Sequence, residues 1–124
     1  MKVLHSDHAP KALGPYSQAI EVNGFVFTSG QIPIDPATDK FVEGGIKEQT
    51  RQSLTNAQNI LKAAGIDLNH VVKTTVFLSD MANFGAMNEV YSEFFKEPFP
   101  ARSAVAVKTL PKEALVEVEC IAVK

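Results

Sequence analysis

The run Leu115-Val116-Glu117-Val118-Glu119-Cys120-Ile121-Ala122-Val123 decides the architecture of this chain. Successive side chains of a strand point to opposite faces. Val116, Val118, Cys120 and Ala122 therefore share one face, and Glu117, Glu119, Ile121 and Val123 share the other. A strand that is apolar on both sides wants cover on both sides.

Working outward, Arg102 to Lys108 reads as a further strand, joined to the first through Leu110-Pro111-Lys112. Pro98 and Pro100 close a helix on which Phe84, Met87, Tyr91, Phe94 and Phe95 share a face, and Asp80 can cap it. Val71 to Leu78 is β-branched and predicts a strand, and Val71/Val72 and Val76/Phe77 repeat the two-sided apolar pattern. Ile46 to Ala64 has helical periodicity, with a stripe of Leu54, Ala57, Ile60, Leu61 and Ala64 and a stop at Gly65. Before it, Pro33 and Pro36 open a loop running to Gly45. Earlier still, Ser17–Val22 and Phe25–Ser29 flank Asn23-Gly24, the signature of a type I′ hairpin. A short first strand near Val3 fits ahead of it.

The predicted order is β-β-α-β-α-β-β. Right-handed crossovers put both helices on one face of a single mixed sheet, which gives a two-layer α+β sandwich. Its other face has no helix to cover it, and self-association is the simplest remedy.

The 124 residues fit one domain, 1–124. With 45 % hydrophobic and 21 % charged residues, the composition is that of a globular protein rather than a disordered one. The formal charge of -2, without a basic stripe, argues against nucleic acid as the partner. No stretch approaches the roughly 20 apolar residues that span a bilayer. Met1-Lys2-Val3-Leu4-His5-Ser6 has no signal-peptide core, and the lone Cys120 excludes an intramolecular disulfide. A cytoplasmic location is expected.

No phosphate loop, CxxC pair, HExxH or GxSxG motif is present. His5, His8 and His70 have no metal-ligand spacing, and Cys120 reads as a core thiol. Glu117 and Glu119 are more informative, because they lie on a face that either the helices or a partner subunit must bury. An antiparallel pairing could bring Arg102 close to Glu117. The pair is then a structural ion pair or edge charges, or else an arginine fork for a small carboxylate beside a carboxylate that can deprotonate water. Tyr16, in Gly14-Pro15-Tyr16-Ser17, follows a turn that can fix its ring. In Ser29-Gly30-Gln31, Gly30 permits close backbone approach. Asn88 sits next to Met87 on the second helix. Each of these also has an ordinary structural explanation.

The blocks Gly14-Pro15-Tyr16-Ser17-Gln18-Ala19, Thr28-Ser29-Gly30-Gln31-Ile32-Pro33, Thr50-Arg51-Gln52-Ser53-Leu54-Thr55-Asn56, Val72-Lys73-Thr74-Thr75-Val76-Phe77-Leu78, Pro100-Ala101-Arg102-Ser103-Ala104-Val105 and Val116 to Val123 run through nearly the whole chain. In them the sequence resembles the Rid (RidA/YjgF) family of imine/enamine deaminases. The resemblance implies a chorismate-mutase-like fold in a barrel-like homotrimer, with active sites in clefts between subunits and no metal or organic cofactor. It implies hydrolysis of 2-iminopropanoate and 2-iminobutanoate to 2-oxo acids and ammonia. Arg102 matches the carboxylate clamp, and Glu117 the residue associated with the hydrolytic water. Tyr16, Ser29, Gly30, Phe84 and Asn88 match cleft-lining positions; Glu119 matches a family carboxylate without a catalytic role. Ala104 departs from the pattern, standing where many deaminating members have cysteine, although its backbone can still touch a ligand. Two other activities attach to such a protein: an endoribonuclease or translation inhibitor, which the acidic balance disfavours, and a non-catalytic sensor or chaperone-like protein.

Overall fold

The computed structural model describes all 124 residues. Strands β1 (Lys2–Leu4), β2 (Ala19–Val22) and β3 (Phe25–Thr28) are followed by a two-residue-per-strand hairpin, β4 (Ile34–Asp35) and β5 (Lys40–Phe41). Helix α1 (Ile46–Ala63), β6 (Val71–Leu78), α2 (Phe84–Phe94), β7 (Ala101–Ala106) and β8 (Val116–Val123) complete the chain. The main sheet is mixed, with strand order β1-β2-β3-β8-β6-β7. The expected α+β architecture, with a short strand at Val3 and two helices, is what the chain adopts. No helix is long and apolar enough to cross a membrane.

The hairpin at Asn23-Gly24 forms as its sequence requires: both residues have positive φ, 53° and 81°, and Val22 pairs with Phe25. Helix α1 ends in a Schellman motif, with Ile66 N–H donating to the Leu61 carbonyl and Gly65 N–H to that of Lys62, while Gly65 takes φ of 77°. The predicted stripe from Leu54 to Ala64 is buried, but so are Gln49, Thr50, Ser53 and Asn56. Asn56 explains its own burial. Its Nδ2 donates to the carbonyls of Ile32 and Ile34 at 3.2 and 2.9 Å, tying the segment after β3 to the helix. The sequence predicts plain loop for that segment, because the β4–β5 hairpin within it has too few residues for a periodic signal. Asp80 accepts from Ala82 N–H at 2.9 Å and so caps a short 3₁₀ turn, Met81–Asn83, that leads into α2 rather than α2 itself.

Strands β7 and β8 are not neighbours, which corrects the expectation of an Arg102–Glu117 pairing. β6 lies between them, parallel to β7 and antiparallel to β8. The crossover through α2 delivers β7 to the outer edge, and the connection after β7 carries the chain back to the slot between β6 and β3. Directly opposite residues share a face. Arg102 stands beside Thr74, and Thr74 beside Cys120, on the helix-covered side. Glu117 stands beside Phe77, and Phe77 beside Val105, on the other side.

The covered face holds the core. Val26, Val76, Leu78, Val116, Val118 and Ala122 are fully buried under Leu54, Ala57, Ile60, Leu61 and Met87. The opposite face carries Val3, Phe25, Phe27 and Val105 at 61, 43, 41 and 44 % exposure, with Ile121 and Val123 half-buried between them. The two-sided pattern of β8 thus describes one dry face and one face that remains partly exposed. Leu54→Ala should destabilise the fold by roughly 2–5 kcal/mol, since α1 cannot collapse onto the rigid sheet beneath it. Urea unfolding monitored by circular dichroism measures this, and a loss below about 1 kcal/mol would show that the site relaxes.

Candidate active site

The sheet register divides the candidate residues into two groups. The first surrounds Arg102. Helix α2 presents Phe84, Asn88 and Tyr91 at steps of four and three, hence on one face. The guanidinium carbon lies 5.4 Å from the Phe84 ring centroid and 4.7 Å from that of Tyr91, within cation–π range. Arg102 Nη1 donates to Asn88 Oδ1 at 2.7 Å. No carboxylate of the chain pairs with Arg102, so its charge is held by aromatic faces and one amide oxygen. A pocket of about 390 Å³ opens onto it, lined by Asn88, Tyr91, Ser92, Phe99, Pro100 and Arg102. Ala104 lies two residues along the same face, half-buried beside Val76.

The second group surrounds Glu117. After β3 the chain re-enters the sheet at Gln31, which exchanges backbone hydrogen bonds with Val118 at 2.8 and 3.1 Å. Ser29 is fixed by its N–H to the Gln18 carbonyl and by its hydroxyl to the Ser17 carbonyl, at 2.8 and 2.6 Å. Between these two anchors Gly30 is pressed onto Glu117. A Cβ there would lie 2.7 Å from the Glu117 carboxyl carbon, so any larger residue would displace the carboxylate from this position. Tyr16 is exposed, held by a tight turn in which its N–H donates to the Gly14 carbonyl. It lines a pocket of about 220 Å³ with Gly30, Gln31, Pro111 and Lys112. The Glu117 carboxylate accepts no hydrogen bond from the chain. Burial first, and then the neighbouring Glu119 charge, push its pKa above the ordinary carboxylate value.

Arg102, Asn88, Phe84 and Ala104 are therefore together on the helix-covered side of the sheet, while Glu117 meets Gly30 on the other; Ser29 precedes Gly30 in the chain, and Tyr16 shares a pocket with Gly30. Cys120 faces the core with its pKa pushed up to about 12, as expected of a buried thiol. Tyr91, on the apolar face of the helix predicted from the sequence, also touches this group; its spacing from Asn88 and Phe84 is the signal for it. Gln18, whose side chain receives Ser6 N–H and donates to the carbonyls of Ser6 and Pro10, was missed because a buried glutamine has no periodic signature.

Residues 6–124 match the family described as Endoribonuclease L-PSP. The chain belongs to the YjgF/RidA family. It is 56 % identical over 123 residues to a RutC family protein of Pyrococcus horikoshii, covering 99 % of this chain and 98 % of that one. It is 49 % identical over 123 residues to the 2-iminobutanoate/2-iminopropanoate deaminase of Mus musculus, covering 99 and 90 % of the two chains. Among solved structures it resembles E. coli TdcF with bound serine, with a TM-score of 0.95, 42 % identity and coverage of 100 and 99 %.

The raised pKa of Glu117 has a consequence for this Rid-family fold. The folded chain holds that proton more tightly than the unfolded chain does. Stability is therefore undiminished below the ordinary glutamate value of 4.5 and falls as pH rises through the folded pKa. Glu117→Gln removes this loss, so its gain in melting temperature over the parent should be absent near pH 3.5 and should grow towards neutrality. A pH-independent difference would show that the carboxylate is not desolvated.

Proposed function

We propose that this Rid-family protein hydrolyses 2-imino acids such as 2-iminobutanoate and 2-iminopropanoate to 2-oxo acids and ammonia, in clefts between the subunits of a homotrimer. The observation that carries this is the Arg102 guanidinium, uncompensated by any carboxylate, oriented by Asn88 and facing a pocket. An arginine fork binds a carboxylate through two parallel hydrogen bonds. The deaminase name of the mouse relative and the bound serine of TdcF, itself a small carboxylic acid, fit that use.

The reaction needs a base for water and a proton for the departing nitrogen. In the protonated imine, carbon 2 is electrophilic. As water adds, the C–O bond forms, the C=N π pair moves to nitrogen, and a water proton passes to the Glu117 carboxylate. Glu117 then returns the proton to the carbinolamine nitrogen, the C–N bond breaks as the oxygen lone pair forms the 2-oxo C=O bond, and the hydroxyl proton passes through the freed Glu117 carboxylate to the departing ammonia, which leaves as ammonium. A carboxylate with a raised pKa suits both directions of this transfer. Because Arg102 and Glu117 face opposite sides of one sheet, a site using both takes one from each of two copies. The open apolar face supplies the surface for that assembly.

The histidines give a ribonuclease no corresponding support. His5 is paired with Asp7 and His70 with Asp67, and none of the three lines either pocket.

Arg102→Ala should lower kcat/KM for 2-iminobutanoate about a hundred-fold or more, the scale of two charged hydrogen bonds, with the oligomer intact. Formation of the 2-oxo acid, or trapping of the imine with semicarbazide, measures it; unchanged turnover removes the clamp. Phe27→Glu should reduce the solution mass towards the 13.5 kDa protomer and abolish turnover, although it touches neither Arg102 nor Glu117. Full activity in a monomer would defeat the shared cleft.

A further inference from the structure

Tyr91 is held in place more completely than core packing requires. Its hydroxyl shares a hydrogen bond of 2.7 Å with Thr74 Oγ1, both residues being buried. Its ring packs against Phe95 with centroids 4.5 Å apart. The guanidinium carbon of Arg102 lies 4.7 Å from its centroid, nearer than to the Phe84 ring. Thr74 is also the cross-strand neighbour of Arg102. The hydroxyl of the ring beneath the guanidinium is thus anchored on the same rung of the sheet that carries the arginine.

The geometry points to Tyr91, locked by Thr74, as a positioning residue that fixes the guanidinium plane so that its unused N–H edge meets the carboxylate of the ligand. This rests on Arg102 being the clamp. An arginine free to change rotamer must be immobilised on binding, whereas one already stacked and bonded to Asn88 forgoes that cost. Burial pushes the Tyr91 phenol above its ordinary pKa, against smaller opposing effects from Thr74 and Arg102. The ring therefore stays neutral and meets the cation through its π face.

A carboxylate held equally in ground and transition states changes KM and leaves kcat nearly alone. Tyr91→Phe and Thr74→Val should each raise KM for 2-iminobutanoate, and Kd for 2-oxobutanoate, about three- to ten-fold, with kcat within about two-fold. Thr74→Ser, which keeps the hydroxyl, should retain parental values. The double variant Y91F/T74V should show the effect of one substitution rather than the product of two, because both remove the same bond. Folded variants with lowered melting temperature but unchanged KM and Kd would reduce the pair to a stabilising role and overturn the inference. So would a multiplicative double variant, or a fall in kcat at constant KM. If Tyr91→Phe fails to fold, the Thr74 pair decides alone. A parent that binds 2-oxobutanoate without hydrolysing the imine ends the deaminase reading, while the binding series still judges Tyr91. A parent that does neither overturns both.

Discussion

Two helices can cover only one face of a six-stranded sheet, and the rest of this structure follows from that inequality. β8 feels it most, lying between β3 and β6 with Val116, Val118, Cys120 and Ala122 sealed under the helices. Its alternate residues, Glu117, Glu119, Ile121 and Val123, are half-buried on the side with no helix. That side presents Phe25 and Phe27, stacked at 6.1 Å, to whatever meets it. The apolar surface there is too continuous for a monomer to leave in water at no cost. Glu117 lies on this same side, opposite Phe77.

Arg102 answers to the same layering from the other side. On the covered face near the edge strand, its guanidinium has α2 over it and solvent beyond it. A half-buried cation usually takes a carboxylate partner. Here the nearest groups are two rings and the Asn88 oxygen, which hold the cation without neutralising it. Elsewhere the helices do form such partnerships: Lys47 pairs with Glu89 at 2.7 Å and Arg51 with Glu93 at 3.1 Å across α1 and α2. Those exposed pairs stitch the helices together weakly. Carboxylates therefore occur on α2, but on the side turned to α1 and not beside Arg102.

Much of this was legible in the sequence because its causes are local. Asn23-Gly24 fixes the hairpin, Gly65 ends α1, and alternation in β8 separates core from open face; each needs only neighbouring residues. The sequence suggests that β7 pairs with β8 because sequential strands are often adjacent, and nothing in Arg102 to Lys108 says that β6 will intervene. That one matter of strand order determines whether Arg102 and Glu117 meet within a protomer. The candidate residues Tyr16, Ser29, Gly30, Phe84, Asn88 and Ala104 come mostly from family resemblance, since a tyrosine in a turn or an asparagine on a helix carries no distinctive pattern. Gly30 alone has a steric reason visible in three dimensions, the Glu117 side chain filling the space where its Cβ would be.

The placement of Glu117 and Glu119 bears on what selection has favoured here. Two carboxylates on one face of one strand, two residues apart, repel each other, and no cation or donor within the protomer relieves Glu117. Stability alone would favour glutamine or a β-branched residue at position 117, as at 116 and 118. Keeping an acid there, pressed against a glycine whose lack of a side chain makes the space, is a local conflict of the kind expected where a fold gives up stability for chemistry. Arg102 is the complementary conflict, a cation without its anion. Each is unfavourable alone, and the two call for opposite remedies from outside the chain: an anion beside Arg102, and a proton or a hydrogen-bond donor beside Glu117.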